Sequence, residues 1–234
     1  RSFVVFPAWT PRVEAAWMNR RLTHSDHQCH NHNHNHELHE HDDCWSCAAS
    51  VTRDDFFCSS CSRIQPPSQK NYFELLACPR RFDIDLKKLE QNYWRLQKRL
   101  HPDLFYGKEA MEKEYSQQQA SLLNEAYNTL KKPDLRAQYL LELMGVDFSE
   151  GAKMPVDATL LMTVMELREE LEDAGDEVEK LEDIGRRTRA LVQETIVRAA
   201  NAFNAENREA ALDCATWLKY LSRLTEQLQK QMPQ

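Results

Sequence analysis

Four cysteines form two Cys-x-x-Cys pairs, Cys44 with Cys47 and Cys58 with Cys61, and ten residues separate the pairs. Each pair presents two thiolates from one tight turn, and two such turns can close a tetrahedral four-sulfur site. We therefore predict that these residues hold one structural zinc ion. Four protein thiolates leave no coordination position for water or substrate, so we expect no catalysis at the ion.

Other chemistry is open to the same cysteines. Two disulfides, an iron ion in the four-sulfur site or a redox-active thiol pair would all use this spacing. The chain has seven cysteines, an odd number that favours a reducing compartment over paired disulfides. A redox function would need a reactive, metal-free thiol pair, so stoichiometric zinc would argue against it. A small hairpin with an apolar side is predicted between the pairs, at Asp54, Asp55, Phe56 and Phe57.

Histidines are concentrated in one tract, where eight of the nine lie between His24 and His41 and partly alternate with asparagine. Neutral imidazole is a good ligand for soft divalent ions such as zinc or nickel. Alternating His and Asn residues cannot build a core or fix a coordination geometry. We interpret the tract as a disordered linker that binds metal only loosely.

The ninth histidine belongs to the tripeptide His101-Pro102-Asp103. A His-Asp pair could serve acid-base catalysis. No nucleophile or convergent pocket accompanies this pair in the sequence, so we do not expect catalysis here. The interpretation of the tripeptide depends on the elements that flank it.

A basic amphipathic helix precedes the tripeptide. Apolar residues recur at i, i+4, i+7 and i+11 from position 89, which predicts one buried helical stripe. The stripe consists of Leu89, Tyr93, Leu96 and Leu100. The opposite face carries Lys88, Arg95 and Arg99, with Lys87 and Lys98 beside it. Asp85 suits the N-cap with an Ile84 to Leu89 hydrophobic staple, and Pro102 ends the helix because it disfavours helical geometry at His101.

The overall charge makes this basic face informative. The net charge is −7, which argues against a general nucleic-acid binder, because such a domain would carry a basic surface over much of its area. A local positive face on an acidic protein indicates a specific acidic partner. A merely solvated helix face would be the simpler interpretation if the tripeptide were not adjacent.

The rest of the folded chain should also be helical. Glycine is scarce, and long stretches with a 3.6-residue period follow residue 71, so we predict an all-α fold. A second long helix is expected from about Lys108 to Lys131, ending at Pro133. Three more helices are expected at about 157–174, 177–204 and 207–231. No apolar run approaches the length needed to cross a bilayer.

The first of these three C-terminal helices carries two sets of apolar residues. Leu160, Val164, Leu167 and Leu171 form a core stripe at i, i+4, i+7 and i+11. Leu161, Met162 and Met165 lie beside that stripe and are followed on the same flank by acids. An apolar cluster that the stripe does not require suggests a partner surface, although a broad three-helix core could also bury it. The pattern alone leaves both interpretations open.

The chain resembles a known family over most of its length. A loop bearing His-Pro-Asp between two long helices is the arrangement of a J-domain. Four stretches resemble the HscB/Jac1 family of iron–sulfur cluster co-chaperones: Tyr72-Phe73-Glu74-Leu75, Leu100-His101-Pro102-Asp103-Leu104-Phe105, Asn124-Glu125-Ala126-Tyr127-Asn128-Thr129-Leu130 and Arg136-Ala137-Gln138-Tyr139-Leu140-Leu141. With the tetracysteine segment, residues 44–234 resemble the animal mitochondrial type.

That resemblance implies two partners and no enzymatic activity of the chain itself. A mitochondrial heat-shock-70 chaperone would bind, and its ATPase would be stimulated, through His101, Pro102, Asp103, Lys88, Arg95 and Arg99. An iron–sulfur scaffold protein of the IscU type would bind Leu161, Met162, Met165, Glu166, Glu169, Asp173 and Tyr220. Two positions depart from the family pattern, since Met165 stands where leucine is common and Asp173 where glutamate is common. A J-protein that serves other clients is the alternative.

The resemblance also implies domains and a compartment. We predict a targeting-like, His-rich disordered tail (1–43), a zinc module (44–65), a J-domain (71–145) and a C-terminal scaffold-binding bundle (155–234). Residues 1–22 are arginine-rich and acid-poor, which is typical of a mitochondrial transit segment, although Pro7 and Pro11 interrupt any helix there. We expect a mitochondrial matrix protein. A cytosolic pool, a homodimer and contacts with recipient apo-proteins remain open.

Overall fold

The computed structural model describes residues 41–52, 55–67, 70–146 and 158–232. In these ranges the regular structure is helical apart from one short β-hairpin and one isolated β-bridge, which confirms the all-α prediction. The strands are β1 (His41–Asp43) and β2 (Ser50–Thr52), which pair antiparallel. The helices are α1 (Tyr72–Leu75), α2 (Leu86–Leu100), α3 (Ala110–Lys131), α4 (Pro133–Leu143), α5 (Ala158–Ala174), α6 (Val178–Asn204) and α7 (Arg208–Gln231). None of the described helices is long and apolar enough to cross a membrane.

The predicted tail, 1–43, lies outside the described residues except for strand β1. The Arg-rich segment and most of the histidine tract therefore receive no structural account. The first described feature is the hairpin that leads into the tetracysteine segment.

Helix α2 begins and ends where the sequence predicts. The Asp85 carboxylate accepts hydrogen bonds from the amides of Lys87 (2.9 Å) and Lys88 (3.1 Å), as an N-cap should. Ile84 and Leu89 are both buried, consistent with the predicted staple. His101 has extended backbone geometry, and Pro102 opens a short 3₁₀ helix (Pro102–Phe105). The tripeptide is thereby held at the tip of a helical hairpin.

Helix α3 packs antiparallel against α2 and fixes this tip. The Ser116 hydroxyl donates to the carbonyl of Leu100 at 2.8 Å, which satisfies a free carbonyl in the last turn of α2. Further along, the Tyr93 ring stacks on Tyr127 with 4.2 Å between centroids, and its hydroxyl donates to Asn124. Helix α3 starts at Ala110, two residues after the predicted start at Lys108.

Helix α4 is an element that the sequence analysis did not predict. We expected Pro133 to end a helix, and α3 does end before it, but Pro133 is also the first residue of α4. Proline is favoured at that position because the first helical N–H needs no partner and the ring presets the backbone angle. Arg136 of α4 donates to the carbonyl of Leu130 at 2.5 Å and closes the end of α3. Burial lowers the pKa of this arginine to about 10.

The C-terminal helices α5, α6 and α7 match the predicted bounds within one residue. The predicted core stripe of α5 is buried along its whole length against α6 and α7. Near the other end of these two helices, Ala199, Ala211 and Leu218 belong to the same buried cluster as Leu140 and Leu141 of α4. The J-type hairpin therefore shares one apolar cluster with α6 and α7, and α5 packs on the same two helices in two further clusters.

Candidate functional site

The four cysteines of the two pairs converge. Their Sγ atoms all lie within 4.8 Å of one another, with 3.7 Å between Cys44 and Cys61 and between Cys47 and Cys58. A zinc ion with four bonds of about 2.3 Å to sulfur sets neighbouring sulfurs about 3.8 Å apart. The thiols are free rather than bonded in disulfides. The four sulfurs therefore lie close enough together for one metal ion to bind all of them.

Both cysteine pairs adopt the same turn. The carbonyl of Cys44 accepts from the amide of Ala48, and the carbonyl of Cys58 accepts from the amide of Ser62, both at 2.9 Å. Ala48 and Ser62 follow the second cysteine of each pair and have positive φ angles, 56° and 59°. Two copies of one tight turn thus present the four sulfurs to a shared centre.

Short antiparallel pairings bracket each turn. Strands β1 and β2 lie on either side of the first pair, and Phe57 bridges to Ile64 across the second. This arrangement differs from the single hairpin predicted at 54–57 between the pairs. Because each turn has its own pairing, its geometry is supported locally.

Four thiolates this close together would repel one another unless a cation lay between them. Burial raises the pKa of Cys44, but amide donors from Ser46 and Cys47 outweigh it and lower the value to about 6. The amide of Cys61 is the main cause of the lowered pKa of Cys58. The amide of Arg63 lowers the pKa of Cys61, yet burial and the three neighbouring sulfurs raise this pKa overall. A divalent ion would relieve this repulsion, so the donor set fits a soft metal such as zinc.

Two other described cysteines lie apart from this cluster. Cys78 and Cys214 are buried in the main core, and burial raises the pKa of each. They behave as small apolar residues. Neither competes with the tetracysteine site.

The tetracysteine module, residues 43–67, is packed against α3. Ile64 is fully buried in the main core, and the Trp45 indole donates to its carbonyl at 2.7 Å. The Trp45 ring meets Tyr115 of α3 edge-on at 6.0 Å. Gln119 of α3 donates to the carbonyls of Gln65 (3.3 Å) and Pro66 (2.9 Å). The module is therefore packed directly on the helical hairpin that α2 and α3 form.

The recognition loop, His101-Pro102-Asp103, lies at the surface. The amide of Asp103 donates to His101 Nδ1 at 3.3 Å, so the imidazole caps the 3₁₀ turn. The Asp103 side chain is 89% exposed and lies 3.5 Å from the same ring nitrogen. Pro102 stiffens the turn between them. The Asp103 carboxylate is therefore presented to solvent on a turn that the imidazole holds.

The basic face of α2 is solvent-exposed at each predicted position, Lys88, Arg95 and Arg99. The Arg99 guanidinium lies over the Phe57 ring of the tetracysteine module at 5.1 Å. Trp94 is 52% exposed and lies with Arg95 and Lys98 in a shallow groove along this face. The sequence analysis missed Trp94, together with exposed Leu104 and Tyr106 near the loop. The sequence did contain a signal for Trp94, because a tryptophan outside the apolar stripe of a helix indicates an exposed apolar contact.

The exposed flank of α5 is the second candidate surface. Leu161, Met162 and Met165 are 48%, 62% and 52% exposed, so the interpretation that a broad core buries them is wrong. The acidic positions Glu166, Glu169 and Asp173 are exposed along the same helix. Tyr220 of α7 is half-buried and packs on the cluster that contains Leu160 and Val164, beside the start of α5. Burial of the core stripe leaves this flank available to a partner.

Known proteins share this arrangement. A DnaJ domain model matches residues 71–139, and the model of the HSCB C-terminal oligomerisation domain matches residues 156–229. The mouse iron–sulfur cluster co-chaperone protein HscB is 36% identical over 189 residues, which is 79% of this chain and 80% of the mouse protein. This chain belongs to the HscB family.

The structure is also similar to solved structures of HscB proteins. The crystal structure of human HscB matches with a TM-score of 0.74 at 32% identity, over 81% of this chain and 98% of the human one. HscB from Vibrio cholerae matches with a TM-score of 0.61 at 32% identity, over 69% of this chain and 96% of the other. The family consists of co-chaperones with a J-domain that act in iron–sulfur cluster biogenesis. The relatives are named as co-chaperones rather than as enzymes.

Proposed function

We propose that this protein delivers an iron–sulfur scaffold protein to a mitochondrial heat-shock-70 chaperone and stimulates that chaperone's ATP hydrolysis. One observation carries the proposal. The His101-Pro102-Asp103 loop and the α5 flank are two separate exposed surfaces of different chemistry on one chain. A protein that contacts two others at once needs such a pair.

The chaperone half of the proposal rests on charge and rigidity. Asp103 offers its carboxylate to an arginine of the chaperone, and His101 holds the turn beside it. Lys88, Arg95 and Arg99 supply a positive face that steers an acidic partner toward the loop. The co-chaperone itself then hydrolyses nothing, and its contribution is to bind the ATP-loaded chaperone in a productive orientation.

The scaffold half rests on the α5 flank. Exposed leucine and methionine side chains bordered by carboxylates favour an apolar partner surface with a basic rim. We propose that the scaffold binds Leu161, Met162, Met165, Glu166, Glu169, Asp173 and Tyr220. A second weak contact in the same chain raises the effective concentration of scaffold at the chaperone, so neither interface has to be tight.

For the tetracysteine site we propose one zinc ion on Cys44, Cys47, Cys58 and Cys61. The sulfur spacing and the soft donor set support this choice. Bound zinc would supply structural cross-linking there, on the order of 10 kcal/mol in comparable small modules. A metal assay that finds one zinc per chain and no iron would support this assignment.

The Arg-rich residues 1–22 support the mitochondrial matrix as the location of the protein.

The deciding experiment is the steady-state ATPase rate of a mitochondrial heat-shock-70 chaperone with this protein, measured with and without an iron–sulfur scaffold. Stimulation that rises further with scaffold is expected. If stimulation is indifferent to scaffold, the chain is a J-protein for other clients. If there is no stimulation at all, the chaperone half of the proposal fails.

A further inference from the structure

Two carboxylates follow the His101-Pro102-Asp103 loop along the chain, and their charge is opposite to that of the basic face of α2. Glu109 precedes α3 and Glu112 lies in its first turn, shortly after the 3₁₀ helix that carries Asp103. The basic face of α2 is expected to attract an acidic partner, so uncompensated negative charge here would repel that partner. Some other group must offset these carboxylates if the local field is to remain positive.

Arg63 of the tetracysteine module bridges both carboxylates. Its guanidinium Nη2 lies 2.8 Å from Glu109 Oε1, and its Nη1 lies 2.5 Å from Glu112 Oε2. The Glu112 side chain is only 5% exposed, and a buried carboxylate is costly unless it is paired. Glu109 is 59% exposed and contributes its charge to the surface. One arginine thus reduces the negative charge beside the loop.

The position of Arg63 depends on the cysteine turn. Its carbonyl accepts from the amide of Cys58 at 2.9 Å, inside the second Cys-x-x-Cys turn. Phe57, the residue before Cys58, supports the Arg99 guanidinium on its ring at 5.1 Å. Residues on both sides of one cysteine turn therefore reach the chaperone-facing surface. A turn held by metal fixes both contacts together, and an empty turn has lost its cross-link.

We propose that the metal-loaded tetracysteine module is part of the chaperone-docking surface, in which Arg63 offsets the charges of Glu109 and Glu112 while Phe57 holds Arg99. The inference rests on the proposed function, because it concerns how strongly the same loop attracts the chaperone. Arg63 and Phe57 are positioning residues in this scheme. Metal loading would then set the rate at which the chaperone is captured.

A charge series measured by association kinetics tests the proposal. Arg63→Ala should slow association with the ATP-bound chaperone by roughly threefold or more at low salt, and the deficit should shrink as salt rises. Glu109→Gln should speed association. Adding Glu112→Gln to Arg63→Ala returns the summed charge of the three positions to that of the wild type, so this double variant should restore the wild-type rate. Arg186→Ala removes one equally positive side chain from an exposed pair on α6 and should change nothing. Removing the zinc with a chelator should slow association as Arg63→Ala does.

Independent measurements keep the result interpretable. Zinc content per chain and hydrogen exchange of the α3 amides report whether the module remains folded and docked. Chelation should raise the exchange rate at the start of α3. The exposed Glu109→Gln change tests the charge argument even if Arg63→Ala unfolds the module.

Two results would overturn the inference while leaving the proposed function intact. One is a wild-type protein that stimulates the ATPase together with a charge series whose association rates are all equal. The other is metal-free protein that associates as fast as the loaded form. If wild-type protein fails to stimulate at all, the proposed function itself is at fault.

Discussion

The His101 ring has a structural task within the recognition loop. Its Nδ1 accepts a hydrogen bond from the Asp103 amide, so it fixes the turn on which the Asp103 carboxylate is presented. The loop's contacts with the rest of the hairpin come from other groups, such as buried Phe105. Losing the imidazole should therefore disturb the loop without unfolding the hairpin.

We predict that His101→Gln abolishes stimulation of the chaperone ATPase. Glutamine lacks the planar ring acceptor at that position, so the Asp103 carboxylate loses its fixed orientation toward a partner arginine. Thermal unfolding and scaffold binding should match wild type, because the loop packs on α3 and the proposed scaffold surface lies on α5. Loss of scaffold binding in this variant would contradict the division into two separate surfaces.

The positive φ angles of Ala48 and Ser62 lead to a second prediction. A non-glycine residue in left-handed geometry carries about 1 to 2 kcal/mol of strain in the folded state. Glycine removes this strain, but it also makes the unfolded chain more flexible, which cancels part of the gain in stability. Ala48→Gly should therefore stabilise the loaded module by up to about 1 kcal/mol, seen as tighter zinc retention against a competing chelator.

The neighbouring Ala49 provides the control. It is half-buried and packs on the small cluster of Cys44, Val51 and Cys58, and it is not among the residues with positive φ. Ala49→Gly should weaken zinc retention. If both glycine changes act in the same direction, backbone strain at Ala48 is not the cause.

Some contacts between residues could be predicted from the sequence, and others could not. The cysteine spacing predicted the four-sulfur cluster, because both partners in each turn are close in sequence. The bridge from Arg63 to Glu109 and Glu112 spans 46 and 49 residues. No local pattern specifies which distant carboxylates an arginine meets, since that depends on how the module packs on α3.

Helix α2 combines two signals on different faces. Its apolar stripe packs on α3, and its opposite face carries the positive charges with Trp94 among them. A half-exposed tryptophan between cationic side chains is the residue type that most often dominates an interface. The helix therefore offers an apolar anchor in addition to charge.

Trp94→Ala should weaken binding of the ATP-bound chaperone by about 1 to 3 kcal/mol, measured by calorimetric titration. Stability should change little, because the ring is 52% exposed. Val197→Ala on α6, where the side chain is 60% exposed, is the matched control and should leave affinity unchanged. Equal affinity for both variants would remove Trp94 from the docking surface.

Helices were predictable where periodicity and caps agreed. The bounds of α2 and of α5 to α7 follow from apolar spacing and from residues such as Asp85. Helix α4 was missed because Pro133 is compatible with both the end of one helix and the first position of the next. Its burial against α7, which decides between them, is a tertiary contact and leaves no local trace.

The α5 flank gives a prediction that separates binding from folding. Leu161→Ala with Met165→Ala should weaken scaffold binding by about 1 to 3 kcal/mol if these side chains are central contacts. Both side chains are about half exposed, so the melting temperature should be nearly unchanged. Affinity can be measured by titration of scaffold into each variant.

Leu160→Ala is the contrasting change one position earlier. That side chain is 1% exposed in the core of the bundle, so its loss should cost about 2 to 5 kcal/mol of unfolding free energy. Unchanged scaffold affinity in the Leu161 and Met165 variant, together with lowered stability, would mean that the flank is structural.

At the scale of the whole molecule, the two recognition surfaces belong to one packed body. The main cluster of buried residues runs from Leu89 and Leu123 in the hairpin through Leu141 of α4 to Leu218 of α7. Phe82, which precedes α2, stacks on Phe203 of α6 with 5.4 Å between centroids, and the Arg136 guanidinium lies over the Phe82 ring at 4.9 Å. A shared core would fix the spacing between the two partners that we propose.

Such a core predicts cooperative unfolding of the hairpin and the C-terminal helices. We expect one calorimetric transition, with coincident loss of structure at α2 and at α5 by hydrogen exchange in denaturant. Phe82→Ala should lower the unfolding free energy by about 3 to 5 kcal/mol, because the ring is 1% exposed and joins the two parts. Val178→Ala, at an exposed start of α6, should have little effect. Two well-separated transitions in the wild-type protein would contradict a single cooperative core, and the scaffold and chaperone surfaces would then be joined only by a flexible connection.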